Sequence, residues 1–205
     1  MVSVVLPIRN EAPFIKACLE RFFDQDPARP HGDPRDRRRL RRRNGGGHAR
    51  LAGASCKDIR PLENEKCIVP TALNIGIRAA RGSIILRTDG HSVPAHDYVS
   101  KCVSALTQSG AANVGGVLEL IGVTPFGQAV ARATGHPLGA GDARYRIGGA
   151  RELVDTVAVG TFPREVFHDV GLFDASLIRN QDDEMSMRLR AADKRVYSDP
   201  TTRVQ

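Results

Sequence analysis

At 205 residues the chain is long enough for one domain with a sizeable buried core. Its four cysteines, Cys18, Cys56, Cys67 and Cys102, include no Cys-x-x-Cys pair and indicate neither a disulfide framework nor a structural zinc site, and no apolar run is long enough to span a bilayer. The formal charge of +7 suggests nucleic acid only until it is localised: residues 28–55 hold nine arginines against Asp33 and Asp36, and the remainder of the chain is neutral.

In chain order, the β-branched run over residues 2–8 reads as a central strand, followed by a loop at Arg9-Asn10-Glu11. Pro13 suits a first helical turn, and Phe14, Ala17, Cys18 and Phe22 recur at helical spacing. A second strand is due next. Residues 28–55 instead carry only Leu40 and Leu51 as large apolar side chains, with neither a strand nor a helix period, so they cannot build a core strand. A solvated basic loop is the plain reading; nucleic-acid or anionic-lipid contact is its rival. Order resumes with a short strand over 59–63 and a helix over 69–80 that puts Leu73, Ile77 and Ala80 on one face, with Gly82 as a left-handed cap.

The strand over 83–87 ends abruptly at Asp89-Gly90-His91. A buried strand that stops at a turn delivers its last side chains to the rim of a sheet, where open α/β sheets bind ligands. Asp89 and His91, on either side of a flexible Gly90, could face one cation; a turn acid beside a solvent-facing histidine is the structural alternative. A helix marked by Tyr98, Val99, Cys102, Val103 and Leu106 closes at Gly110, so strands and helices alternate as in a doubly wound sheet. A strand over 113–120 carries Gly115-Gly116, which signals either a close backbone approach or a bulge.

Residues 121–155 read as an irregular connection with a short helix near 127–133. A further strand follows over 157–160, a brief helix begins at Pro163, and 171–174 turn the chain. Asn180-Gln181-Asp182-Asp183-Glu184 then leads into a helix. Acids in a first turn suit the helix dipole, but three in a row exceed what a cap requires, and one of them could act as a general base. An edge strand is expected over 193–197, after which the sequence stops in what reads as mid-fold.

Seven motifs together resemble family 2 glycosyltransferases, in particular the branch of bacterial succinoglycan and other exopolysaccharide glucosyltransferases. They are Pro7-Ile8-Arg9-Asn10-Glu11, Asn74-Ile75-Gly76, Asp89-Gly90-His91, Gly115-Gly116, the run from Phe162 to Phe167, Gly171-Leu172-Phe173-Asp174 and Gln181-Asp182-Asp183-Glu184. The resemblance covers residues 2–27 and about 58–203. It implies an α/β fold of the GT-A kind, with a Rossmann-like, mostly parallel sheet flanked by helices in one catalytic domain. It further implies that Pro7, Arg9, Asn10, Glu11, Asn74 and Asp89 serve the nucleotide site, that Asp89 and His91 ligate Mn²⁺ or Mg²⁺, and that Asp182 is the base of an inverting transfer. Gln181 stands where the family more often has Glu. The implied partners are a nucleoside-diphosphate sugar, UDP-linked first of all, and a saccharide or lipid-linked acceptor, with no nucleic acid. The implied location is cytoplasmic, extending to the inner face of the membrane.

The resemblance also exposes a departure. Relatives end their second strand in an acid-rich Asp-Gly-x-Ser-x-Asp-Gly-Thr segment, where this chain has Arg41-Arg42-Arg43-Asn44-Gly45-Gly46-Gly47-His48. An Arg, Gly, Pro and Ala tract is what out-of-frame reading of GC-rich DNA produces, so a shifted frame over 28–55 is the expectation, with impaired folding and activity as its consequence. A non-catalytic nucleotide-binding remnant, and a nucleic-acid-binding protein that uses the arginine tract, are the competing classes.

Overall fold

The computed structural model describes residues 1–26, 59–141 and 143–205. The arginine tract, and with it the frame-shift expectation, lies outside the described residues.

Among the described residues six strands form one sheet: β1 (Val2–Val5), β2 (Ile84–Arg87), β3 (Asn113–Leu118), β4 (Glu152–Leu153), β5 (Thr161–Pro163) and β6 (Val196–Val204), ordered β1-β2-β5-β3-β6-β4. The α/β expectation holds, and the sheet is mixed. β1 with β2 and β3 with β6 are parallel, whereas β5 runs antiparallel between β2 and β3, and β4 is antiparallel to β6. The reason lies in the connections. Parallel neighbours need a long crossover such as the helices before β2, whereas the chain reverses between β3 and β4, so that β4 and the following β5 both run against the other four strands.

Helices α1 (Ile15–Phe23), α2 (Val69–Ala79) and α3 (Tyr98–Ser109) follow the apolar spacing that the sequence shows. The Glu11 carbonyl accepts from the Phe14 and Ile15 amides and starts α1; Pro70 sits in the first turn of α2; and Gly110, at φ 59°, ends α3 in the left-handed conformation. Helices α4 (Pro125–Thr134), α5 (Pro137–Ala140) and α6 (Arg144–Ile147) fill the long connection. The Thr124 side chain caps α4 by accepting from the Gly127 amide at 3.0 Å. After α7 (Val166–Asp169) comes α8 (Gln181–Ala191), which begins one residue after Asn180.

Strand alternation sorts the core onto two faces. Ile85 joins Val5, Leu73, Ile77, Phe162, Phe167, Phe173, Met185 and Leu189, while Leu86 faces Cys18, Phe22, Tyr98, Cys102 and Val204. Phe162, Phe167 and Phe173 form an aromatic cluster with centroids 5.2–6.4 Å apart, holding β5, α7 and the 171–174 turn together.

Four expectations are corrected. Residues 59–63 form no strand: Pro61 offers no amide, and Ile59 and Leu62 are exposed. Gly82 is not a left-handed cap; it is needed because a Cβ there would meet the Met1 carbonyl and the Ser3 amide at 2.7 Å. The strand placed over 157–160 lies at Thr161–Pro163. The expected edge element over 193–197 is the start of β6, an interior strand between β3 and β4. The glycine pair in β3 serves both of its sequence readings. The register with β6 shifts between Gly115 and Val117, and a Cβ on Gly116 would run into Thr202, so the close approach is made by β6 itself.

Candidate active site

Because β1 and β2 are parallel and paired from Val2↔Ile84 to Val5↔Arg87, their following loops leave the sheet at the same edge. The Thr88 amide donates to the Val5 carbonyl at 3.2 Å and keeps the two loops together. Pro7, Arg9, Glu11, Asp89 and His91 consequently line one groove. Asn10, at φ 59°, turns the first loop and is exposed. Arg9 donates to the Cys67 carbonyl at 3.0 Å, joining this loop to the segment that enters α2. Glu11 Oε1 lies 3.0 Å from His91 Nδ1, and a Cβ on Gly90 would press against the Glu11 side chain, so this glycine lets the loops meet. Beneath them the Cys18 thiol donates to the Asp89 carbonyl at 3.6 Å; burial pushes it up to about 11, with the Asp89 and Glu11 charges adding to the effect, which leaves it an unreactive core thiol.

Asp182 arrives from the other side. Asn180 adopts φ 61° at the entrance to α8, and Asp182 precedes Met185 by three residues on the face that Met185 and Leu189 bury against the Ile85 side of the sheet. The turn that leads there is tied down twice. Asn74 donates to the Phe173 carbonyl at 2.8 Å and accepts from the Phe173 amide at 3.0 Å, while Arg188 donates to the Leu172 carbonyl at 2.8 Å and pairs with Glu184. Asn74, expected at the nucleotide, therefore commits both ends of its amide to the loop that positions α8.

Arg87 brings the two sides together. It shares the Ile85 face by strand parity and is 4% exposed. One guanidinium nitrogen lies 3.2 Å from Asp89 Oδ2 and donates to the Ala158 carbonyl at 2.9 Å; the other lies 3.3 Å from Asp182 Oδ2. Asp182 keeps 24% of its side chain in contact with solvent, yet its carboxyl is held up at about 7. Loss of hydration is the main cause; Arg87 opposes it, and the neighbouring Asp89 and Asp183 charges add to it. A carboxyl so placed changes protonation near neutral pH, the property a general base requires.

Sequence reasoning assigned Arg87 no role. Its signal was nevertheless present: a charged residue closing the apolar run Ile84-Ile85-Leu86 must be buried and must be paired. The expected cation ligands, Asp89 and His91, both line this groove. Asp89 supplies hard oxygen and His91 an imidazole on the same groove, and no group of three or more His, Cys, Asp or Glu side chains gathers among the described residues. A two-ligand set leaves most of the coordination sphere to phosphate and water.

The model of the glycosyl transferase family 2 matches residues 3–171. The succinoglycan biosynthesis protein ExoA of Rhizobium meliloti is 27% identical over 209 residues, covering 98% of this chain and 62% of its own length. A Methanococcus voltae dolichyl N-acetyl-alpha-D-glucosaminyl phosphate 3-beta-D-2,3-diacetamido-2,3-dideoxy-beta-D-glucuronosyltransferase is 23% identical, with 97% and 64% covered. The chain thus spans somewhat under two thirds of these relatives. Among solved structures, S. aureus TarS 1-349 in complex with UDP superposes at TM-score 0.58 and 14% identity, covering 97% of this chain and 60% of that one. The mannosyltransferase PcManGT from Pyrobaculum calidifontis, in complex with GDP-Man and Mn²⁺, superposes at 0.58 and 19%, with 99% and 55% covered. The fold is common to these structures, and with the family model spanning most of its length, the chain belongs to glycosyl transferase family 2.

Proposed function

We propose that this chain carries the donor-binding and proton-accepting part of an inverting transferase. It moves a sugar from a nucleoside-diphosphate sugar, a UDP-sugar first, to a hydroxyl of a saccharide or lipid-linked acceptor in exopolysaccharide assembly. The observation that supports this most is the single guanidinium of Arg87 between Asp89 and Asp182, which puts a cation-binding candidate and a carboxyl that titrates near neutrality on one rim of a family 2 chain. The groove lined by Pro7, Arg9 and Glu11 takes the nucleotide, and Asn10 turns the loop that shapes it. Asp89 and His91 would hold Mn²⁺ or Mg²⁺, which supplies positive charge to the departing diphosphate.

In the transfer, the acceptor oxygen forms a bond to the anomeric carbon while the bond from that carbon to the diphosphate oxygen breaks. The electron pair leaves with the nucleoside diphosphate, and the acceptor proton passes to Asp182. One displacement of this kind inverts the anomeric centre, through an oxocarbenium-like state. A cytoplasmic setting, with contact to a membrane surface where the acceptor is lipid-linked, belongs to the same proposal; among the described residues no helix is long and apolar enough to cross a membrane.

The test is turnover of UDP-, GDP- and dTDP-sugars with Mn²⁺ on saccharide and lipid-linked acceptors. Asp182→Asn should lower transfer by roughly 10²–10⁴-fold without unfolding the protein. Equal turnover by the variant and the native protein would overturn Asp182 as the base.

A further inference from the structure

Arg87 has a place in the site that the assignment of Asp89 and Asp182 leaves unexplained. A buried guanidinium is costly unless its donors are matched, and this one divides its two terminal nitrogens between two carboxylates and a carbonyl while its Nε is buried without a partner. Its backbone is fixed as well. The Arg87 amide donates to the Gly160 carbonyl at 2.9 Å, in register with the β2–β5 pairing, so the side chain projects from the fixed C-terminal end of β2. Asp89 lies two residues on in the same loop, and Asp182 comes from α8, 95 residues away in sequence. A planar fork with two parallel nitrogens is the side chain that can meet both carboxylates in one fixed geometry; a lysine ammonium is a single point.

Resting on the proposed roles of Asp89 and Asp182, we propose that Arg87 is a positioning residue: its forked guanidinium spans the cleft and fixes the two carboxylates relative to one another. Asp89 Oδ2 is held by Arg87. The remaining Asp89 oxygen is the one available to a cation, and Asp182 is turned toward the same rim. Without Arg87 two carboxylates would face each other with no cation between them, and Asp89 and Asp183 would be the charges left around Asp182. The loop and the helix start would then be free to move apart. A displacement of about 1 Å between groups that must act together can lower a rate about 100-fold.

The experiment has two readouts, one of which needs no turnover. The first is the Asp182 carboxyl titration followed by carbon-13 NMR, with the resonance assigned by its loss in Asp182→Asn. Arg87→Met should move this midpoint upward from the native one near 7, because the cation that opposes protonation is gone. Arg87→Gln, which retains a donor for the Ala158 carbonyl, replaces it if the Met variant does not fold. The second readout is transfer. Arg87→Lys should lower kcat about tenfold or more with KM for the nucleotide sugar little changed, and guanidinium ion added to Arg87→Ala should restore part of the rate. An unmoved Asp182 midpoint in a folded Arg87→Met or Arg87→Gln protein overturns the proposal, and so does full kcat in Arg87→Lys. If the native protein turns over no donor, or Asp182→Asn turns over as well as the native protein, the transferase reading fails while the NMR midpoint still decides the role of Arg87.

Discussion

The carboxylate rim and the helical arm that follows β3 are built from the same kinds of residue and are held in opposite ways. At the rim, Arg87 is buried, and every element that carries a candidate group is tied to another by side chains: Arg87 to Asp182, Asn74 to Phe173, Arg188 to the 170–172 carbonyls. In the arm, α4 and α5 bury no residue, and Val123, Phe126 and Leu138 are 92%, 79% and 93% exposed. Apolar content alone does not make a core. What distinguishes the rim is polar side chains that fix the ends of elements over an aromatic and aliphatic base, which is the preorganisation that chemistry requires.

The sharpest way to break this contrast is to cut a phenylalanine from each region. Phe162→Ala, beneath the rim, should cost about 3–5 kcal/mol, whereas Phe126→Ala, in the arm, should stay within about 0.5 kcal/mol of the native protein; denaturant melts of the two report this directly. Equal losses would mean that the arm is packed as firmly as the sheet.

Glycines sharpen it next. Gly116→Ala drives a methyl group into Thr202 on the neighbouring strand and should destabilise strongly. Gly141→Ala meets no atom within 4 Å and should cost only the strain of its backbone, at φ 57° and ψ −131°, about 1–3 kcal/mol. A ranking by thermal midpoint with Gly141→Ala the worse of the two would contradict the register seen between β3 and β6.

A third effect is in pH. Burial raises the Asp182 carboxyl above its unfolded value, so the folded chain holds this proton more tightly than the unfolded one does. The Asp182 contribution to stability is therefore most favourable below the ordinary carboxylate range, and it declines as pH climbs from about 4 to about 7. Asp182→Asn should remove that decline, leaving Phe126→Ala with the native profile. In the assay, native transfer should rise through pH 7 as Asp182 loses its proton. A rate that falls over this interval would exclude it as the base.

Much of the frame was legible because local periodicity decided it. β1, α1, α2, β2, α3 and α8 follow from β-branched runs, helical spacing, a first-turn proline and a closing glycine, and Asp89, His91 and Asp182 stood out as polar groups at the ends of such elements. What was not legible depended on long-range pairing. Gly82 and Gly116 are set by strands that pass over them, β5 by its antiparallel pairing between β2 and β3, and the interior place of β6 by its partner β3. Arg87 and Asn74 belong to this second class: each is bonded across more than 70 residues, and no spacing in the sequence announces such a contact.

A crystal structure with UDP and Mn²⁺ bound tests most directly whether the two carboxylates serve one groove. Mn²⁺ on Asp89, with the diphosphate along Pro7 and Arg9 and the Asp182 carboxylate facing the space where the sugar would sit, is the predicted result. Nucleotide bound away from that groove, or Asp182 turned onto a separate surface once the ligands are in place, would contradict it.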